Sequence, residues 1–224
     1  MSKRILLSTA VLIATALSLA IATAFGAGGR LQLYLVKSGP ATEFYNDSAS
    51  ADGDCNATSK PASLSATAGT GVQYDSPGYG FSAATDTPSD FSYTVPAGGG
   101  FSVPANSNAV ILKLWSFSGD GTCPGQTGNQ NVDWRVLCSG PTCGSNVTLT
   151  GPGQVAPKTG WQAFTIPAGT PTNTLFNAHA GPSSAVHVGA GDVITLELSA
   201  DTWAGIQWNA PIGAGASSVS ILAG

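Results

Sequence analysis

A serine-histidine-aspartate triad needs a histidine to carry the proton, and this chain has two, His179 and His187. No G-x-S-x-G elbow offers a serine to either of them. His187 sits between two valines and His179 in a polar stretch, which reads as strand packing and a surface loop. Glycoside hydrolysis needs two carboxylates about 5–10 Å apart. The glutamates are Glu43 and Glu197, and Glu197 projects from an ordinary alternating segment whose solvated face accounts for it. No pair of aspartates stands out, so the chain is not expected to be an enzyme.

Other side chains suit binding. Asp52-Gly53-Asp54 puts two carboxylates in one loop, the hard oxygen donors that calcium takes, although the full EF-hand pattern is missing. Asp47 and Asp120 would join them only if the fold brought them close. Calcium is therefore the cofactor to consider, and otherwise none is expected. Of the five tryptophans, Trp203, Trp208 and Trp115 are candidates for stacking on a sugar ring, with Trp203 in a loop. Trp134 and Trp161 read as core or strand-end residues. Asn46, Asn56 and Asn146 each open an N-x-S/T sequon, the acceptor pattern for glycosylation.

The cysteines are Cys55, Cys123, Cys138 and Cys143. An even count in an exported chain suggests disulfides, and four cysteines allow three connectivities. Cys138 and Cys143 enclose a Gly-Pro turn, so a local bridge closes easily. It would leave Cys55 with Cys123, closing a long loop. A four-cysteine zinc site is the alternative, and the absence of any CxxC pair counts against it.

The elements that would position these residues are strands. After the leader no segment has helical periodicity. Apolar residues alternate, and turn residues interrupt them every eight to fifteen positions. Residues 109–118 form the strongest such segment, with Val110, Leu112 and Leu114 on one face and Ile111, Lys113, Trp115 and Phe117 on the other. Residues 192–199 bury Ile194, Leu196 and Leu198, while 91–95, 101–103, 132–138, 146–150, 161–166, 186–188, 206–208 and 218–222 are shorter. About ten short strands in one domain fit an all-β, two-sheet sandwich of jelly-roll type. The Val95-Pro-Ala-Gly and Ile166-Pro-Ala-Gly sequences echo one another as turn chemistry.

Composition sets the address. Only 9% of residues are charged, against roughly 25% in ordinary soluble proteins. Such a surface is covered by Ser, Thr, Asn, Gln and Gly, which suits life outside cells and packing against copies, since few charges need desolvating. Eight basic residues against twelve acidic ones exclude a phosphate-backbone partner. Lys3 and Arg4 precede an uncharged stretch from Ile5 to Ala24, and Ala22-Thr23-Ala24 offers a cleavage site. Residues 1–24 are therefore read as a signal peptide. A retained anchor is the alternative, and the membrane is met only through this leader. Residues 25–37 are a glycine hinge and leading strand, and 38–224 the β-sandwich domain.

Gly189-AGDVITLELSAD-Thr202, Ile206-QW-Asn209 and Val219-SIL resemble the closing strands of secreted prokaryotic jelly-roll domains, found in surface-layer, adhesin-like and filament-forming proteins. The resemblance covers about 35 residues, implies the fold, and carries over no catalytic residue. At the front, Gly26-AG-Gly29 followed by an alternating strand is similar to filaments built by donor-strand complementation. In those, a leading strand completes the next subunit's sheet, and here Leu31, Leu33 and Leu35 would fill its pockets. In the simpler case the strand is the first of its own sandwich. The expectation is a structural cell-surface protein, the subunit of an extracellular homopolymer. A carbohydrate-binding or adhesive module with glycans as partners is the alternative.

Overall fold

The computed structural model describes residues 25–26, 29–37, 62–66, 79–81, 89–118, 129–151, 161–171, 174–200, 204–207 and 217–224. Among the described residues every regular element is a strand: β1 (Phe25–Gly26), β2 (Arg30–Lys37), β3 (Ala62–Ser65), β4 (Tyr79–Phe81), β5 (Ser89–Thr94), β6 (Phe101–Val103), β7 (Val110–Ser118), β8 (Gln130–Gly140), β9 (Gly144–Thr148), β10 (Gln162–Ile166), β11 (Thr174–Ala180), β12 (Val186–Val188), β13 (Val193–Ala200), β14 (Ala204–Gln207) and β15 (Ser218–Leu222). The chain is all-β, as expected, and no described helix is long and apolar enough to cross a membrane.

Side chains alternate across a strand, so each amphipathic strand presents one apolar row to the interior. β2 buries Leu31, Leu33 and Leu35. β7 buries Val110, Leu112 and Leu114, β8 Val132, Trp134 and Val136, and β13 Ile194, Leu196 and Leu198. These rows, with Phe91, Val219 and Ile221, form one core cluster.

Thirteen strands hydrogen-bond along one path, β10-β8-β13-β5-β3-β2-β15-β7-β14-β4, with β1 on β2, β9 on β8 and β11 on β7. β6 and β12 form a separate ribbon. All pairings are antiparallel except β3 with β5, which meet in parallel at the single pair Ser63↔Ser92. That weak corner divides the path into a β10-β8-β13-β5 half and a β3-β2-β15-β7 half. Both turn their apolar rows toward the common core, giving a sandwich-like molecule. Where the path's flanks meet, Phe164 of β10 stacks on Phe176 of β11 with ring centroids 5.8 Å apart.

The repeated Pro-Ala-Gly sequences are both turns. Gly99 N–H donates to the Pro96 carbonyl (3.0 Å) and Thr170 N–H to the Pro167 carbonyl (3.1 Å). Gly98 and Gly169 take φ of 79° and 74°, the left-handed conformation that glycine adopts without steric cost in such turns.

Two expectations are corrected. His179 lies in strand β11 rather than a loop, where it alternates outward. Its neighbours Ala178 and Ala180 are small inward residues that carry little apolar signal. Glu197 is not solvated: it is 9% exposed and ion-paired with Arg135 on the neighbouring strand.

Candidate functional site

Three arrangements on this scaffold bear on function. The first is the slot of the leading strand. β2 lies between β15 and β3, antiparallel to both, with Leu31 opposite Ile221, Leu33 opposite Val219 and Leu35 opposite Leu64. Leu31 is 2% exposed and the other two leucines 0%. Leu35 N–H donates to the Ser217 carbonyl (2.9 Å) and Ala223 N–H to the Gly29 carbonyl (2.7 Å). Arg30 fastens the strand's start: its Nε donates to Ser220 Oγ (2.7 Å), and its Nη2 to the Ser220 and Ala109 carbonyls (3.0 Å each). The expected polymerisation strand therefore fills a slot in the centre of a sheet. Its outgoing connection is residues 38–61, rich in Ser, Asp, Asn and Ala. The glycine hinge precedes the strand, so only 38–61 could let β2 leave its own body.

The second is a clasp around Asp192, which is wholly buried. Oδ1 accepts from Thr142 N–H (2.9 Å), and Oδ2 from Cys143 N–H (3.0 Å) and Gly189 N–H (2.8 Å). Burial pushes its carboxyl up, but the hydrogen bonds from Gly189, Thr142 and Cys143 outweigh burial and hold it below the ordinary aspartate value. Cys138 and Cys143 are joined in a disulfide beside it, with Cys138 Sγ 3.9 Å from Oδ2. The bridge expected from the enclosed Gly-Pro turn is thus present. The two sulfurs and the carboxylate lie within 4.8 Å of one another. Thiolates are the metal ligands, however, and these sulfurs are bonded to each other while three N–H groups occupy the carboxylate. The arrangement tethers the β8–β9 turn to the start of β13.

The third is a row of charges across three strands. Asp90 of β5 stands opposite Glu197 of β13, and Glu197 opposite Arg135 of β8. Arg135 pairs with Glu197, and its guanidinium lies 4.4 Å from the centre of the Trp161 ring, a cation–π contact. Partial burial pushes the Asp90 carboxyl up, Glu197 adds to the effect, and Arg135 opposes it.

The chain matches no protein-family model, no curated protein and no solved structure.

The remaining expected site residues divide by where they fall. Trp115 is half-buried on the outer side of β7, opposite Leu175. Asn146 is exposed with φ 52°, and its Oδ1 accepts from Ser139 Oγ (2.9 Å). Cys55, Cys123, Asp52, Asp54, Trp203, Trp208, Asn46, Asn56 and the leader lie outside the described residues. Sequence reasoning missed the Asp192 clasp. Its one signal was the Gly191-Asp192 turn opening β13; the partners at 142 and 143 lie some fifty residues away.

Proposed function

We propose that this chain is an exported structural protein of jelly-roll type, with 1–24 as its signal peptide. It is the repeating subunit of an extracellular filament. Subunits connect when β2 of one copy fills the slot between β15 and β3 of the next. The carrying observation is the β2 slot: three buried leucines on a terminal strand, joined to its body by a 24-residue polar segment, 38–61. Such a segment spans up to about 80 Å when extended, so the same contacts can form within one chain or between two. Exchanging an identical element needs no new interface chemistry, and a head-to-tail exchange whose rotation does not close on itself propagates as an open filament.

A cross-strand cysteine pair tests this. Gln32 faces Ser220, and the flanking bonds of Leu35 to Ser217 and Ala223 to Gly29 make it a non-hydrogen-bonded pair, where side chains approach most closely. Gln32→Cys/Ser220→Cys oxidised after assembly should give a ladder of covalent multimers on a non-reducing denaturing gel. Oxidised before assembly, it should hold each β2 in its own body, so that every cross-link is within one chain and strand-exchanged filaments and covalent multimers are both lost. Filaments whose cross-links are all within one chain, or a chain that never polymerises, would sink the proposal.

A further inference from the structure

Among the described residues, the strands of the two halves differ in charge. β2, β7, β11 and β15 contain the cations Arg30, Lys37 and Lys113 and no carboxylate. β5, β8 and β13 contain Asp90, Asp133 and Glu197 against the single cation Arg135. Lys113, Trp115, Leu175, Asn177 and His179 share the outer face of β7 and β11: Lys113 is opposite Asn177, and Trp115 opposite Leu175. Lys113 and His179 are exposed, and Leu175 is 38% exposed, the only large hydrophobic side chain so open among the described residues. On the other half, Asp90, Ser92 and Thr94 are exposed along β5, with the Glu197 and Arg135 row beside them. Because both halves turn inward to one core, these outer faces look in opposite directions.

We infer that the cationic, aromatic face around Lys113, Trp115 and Leu175 docks on the acidic face around Asp90 of a second copy of this chain. Charge complementarity selects the occupant. Like face on like face would set Lys113 against Lys113 or Asp90 against Asp90, and like-charge contacts are costly and suppress wrong partners. The unlike pairing places opposite charges together, with Trp115 and Leu175 supplying the apolar centre that interfaces favour. Because the two faces differ, the contact is heterologous, and because they look in opposite directions it stacks copies rather than pairing them. It rests on the self-association proposed above and needs no strand exchange. It would bundle or stack subunits that β2 connects end to end.

The test uses the oxidised Gln32→Cys/Ser220→Cys chain, in which β2 cannot leave, so strand exchange contributes nothing. Sedimentation velocity should show association that weakens from about 50 to about 500 mM NaCl, as the screening length shortens. Lys113→Glu and Asp90→Lys should each weaken it by about tenfold, the order expected of an unfavourable interfacial charge contact. An equimolar mixture of the two variants, and a chain carrying both changes, should associate like the parent. Both residues are exposed, so melting temperatures no lower than the parent's will certify folding. Charge changes without effect, or a double variant that fails to recover, would overturn the inference. So would a parent that stays monomeric at every salt concentration, and a monomer that instead retains glycans through Trp115 would give this face to a carbohydrate.

Discussion

At the scale of single residues, the Asp192 carboxylate has the clearest energetic consequence. Asparagine keeps its shape but replaces one acceptor oxygen with an N–H₂ donor, so at least one of the Thr142, Cys143 and Gly189 N–H groups loses its partner. Hydrogen bonds to a charged acceptor contribute about 1.5–3 kcal/mol, and an orphaned buried donor costs as much again. Asp192→Asn should therefore lower stability by about 3 kcal/mol, a fall in melting temperature of roughly 6–12 °C for a chain of this size. The pH dependence follows from the depressed carboxyl. A carboxylate held below its ordinary value of 3.8 stabilises the fold above that pH, and the contribution is lost as pH falls through the lower folded value. Acid melting curves of Asp192→Asn should lack this loss below about pH 4. Asp90 has the opposite sign. Its raised carboxyl means that ionisation opposes folding as pH rises past 3.8. Asp90→Asn should raise the melting temperature at pH 7 by removing a charge that burial disfavours and Glu197 repels, and should change nothing well below pH 3.8. A neutral-pH gain that persists at low pH would show that the charge is not the cause.

At the scale of elements, the β8–β9 turn is held twice, by the disulfide and by Asp192. A loop this short gains about 2 kcal/mol from cross-linking on the chain-entropy account. Cys138→Ala/Cys143→Ala should cost about that much. Combined with Asp192→Asn it should cost less than the sum of the two, because either change frees the same 142–143 backbone; additive losses would mean the two restraints act independently. Gly140 belongs to the same unit: a Cβ there would overlap the Asp192 carboxylate and lie 2.7 Å from its Cα. Legibility from sequence also divides by element. β5, β7, β13 and β15 were readable because their inward rows are large apolar residues at strict period two. β11 was not, because its inward Ala178 and Ala180 are small while Leu175 points outward. The Cys138–Cys143 bridge was readable because its two ends are local in sequence. The Asp90–Glu197–Arg135 row was not, because it joins strands from three distant parts of the chain, and pairing register is a property of the folded sheet.

At the scale of the whole molecule, β2 decides whether the two halves form one body. Among the described residues, the hydrogen-bonded path from the β13 half to the β7 half runs through β3 and β2, and β3 holds β5 by one residue pair. Removing β2 cuts that path and opens a groove lined by Leu64, Val219 and Ile221. The three leucines lost, at about 1.5–3 kcal/mol each, sum to roughly 5–9 kcal/mol, comparable to the entire stability of an ordinary domain. A chain with an empty slot is therefore a poor resting state. It must hold its own β2 or accept another's, and that requirement is what would drive exchange. Deletion of residues 25–37 should give a chain that binds a hydrophobic dye and melts broadly at low temperature. A synthetic peptide of residues 30–37 should restore a sharp transition and expel the dye. The same peptide with Leu33→Glu should fail, since its charge would have to enter a site that is 0% exposed. If the deleted chain instead melts sharply without any peptide, the slot closes on itself. In that case the buried leucines only complete a private core, and subunits would have to be joined by some other surface.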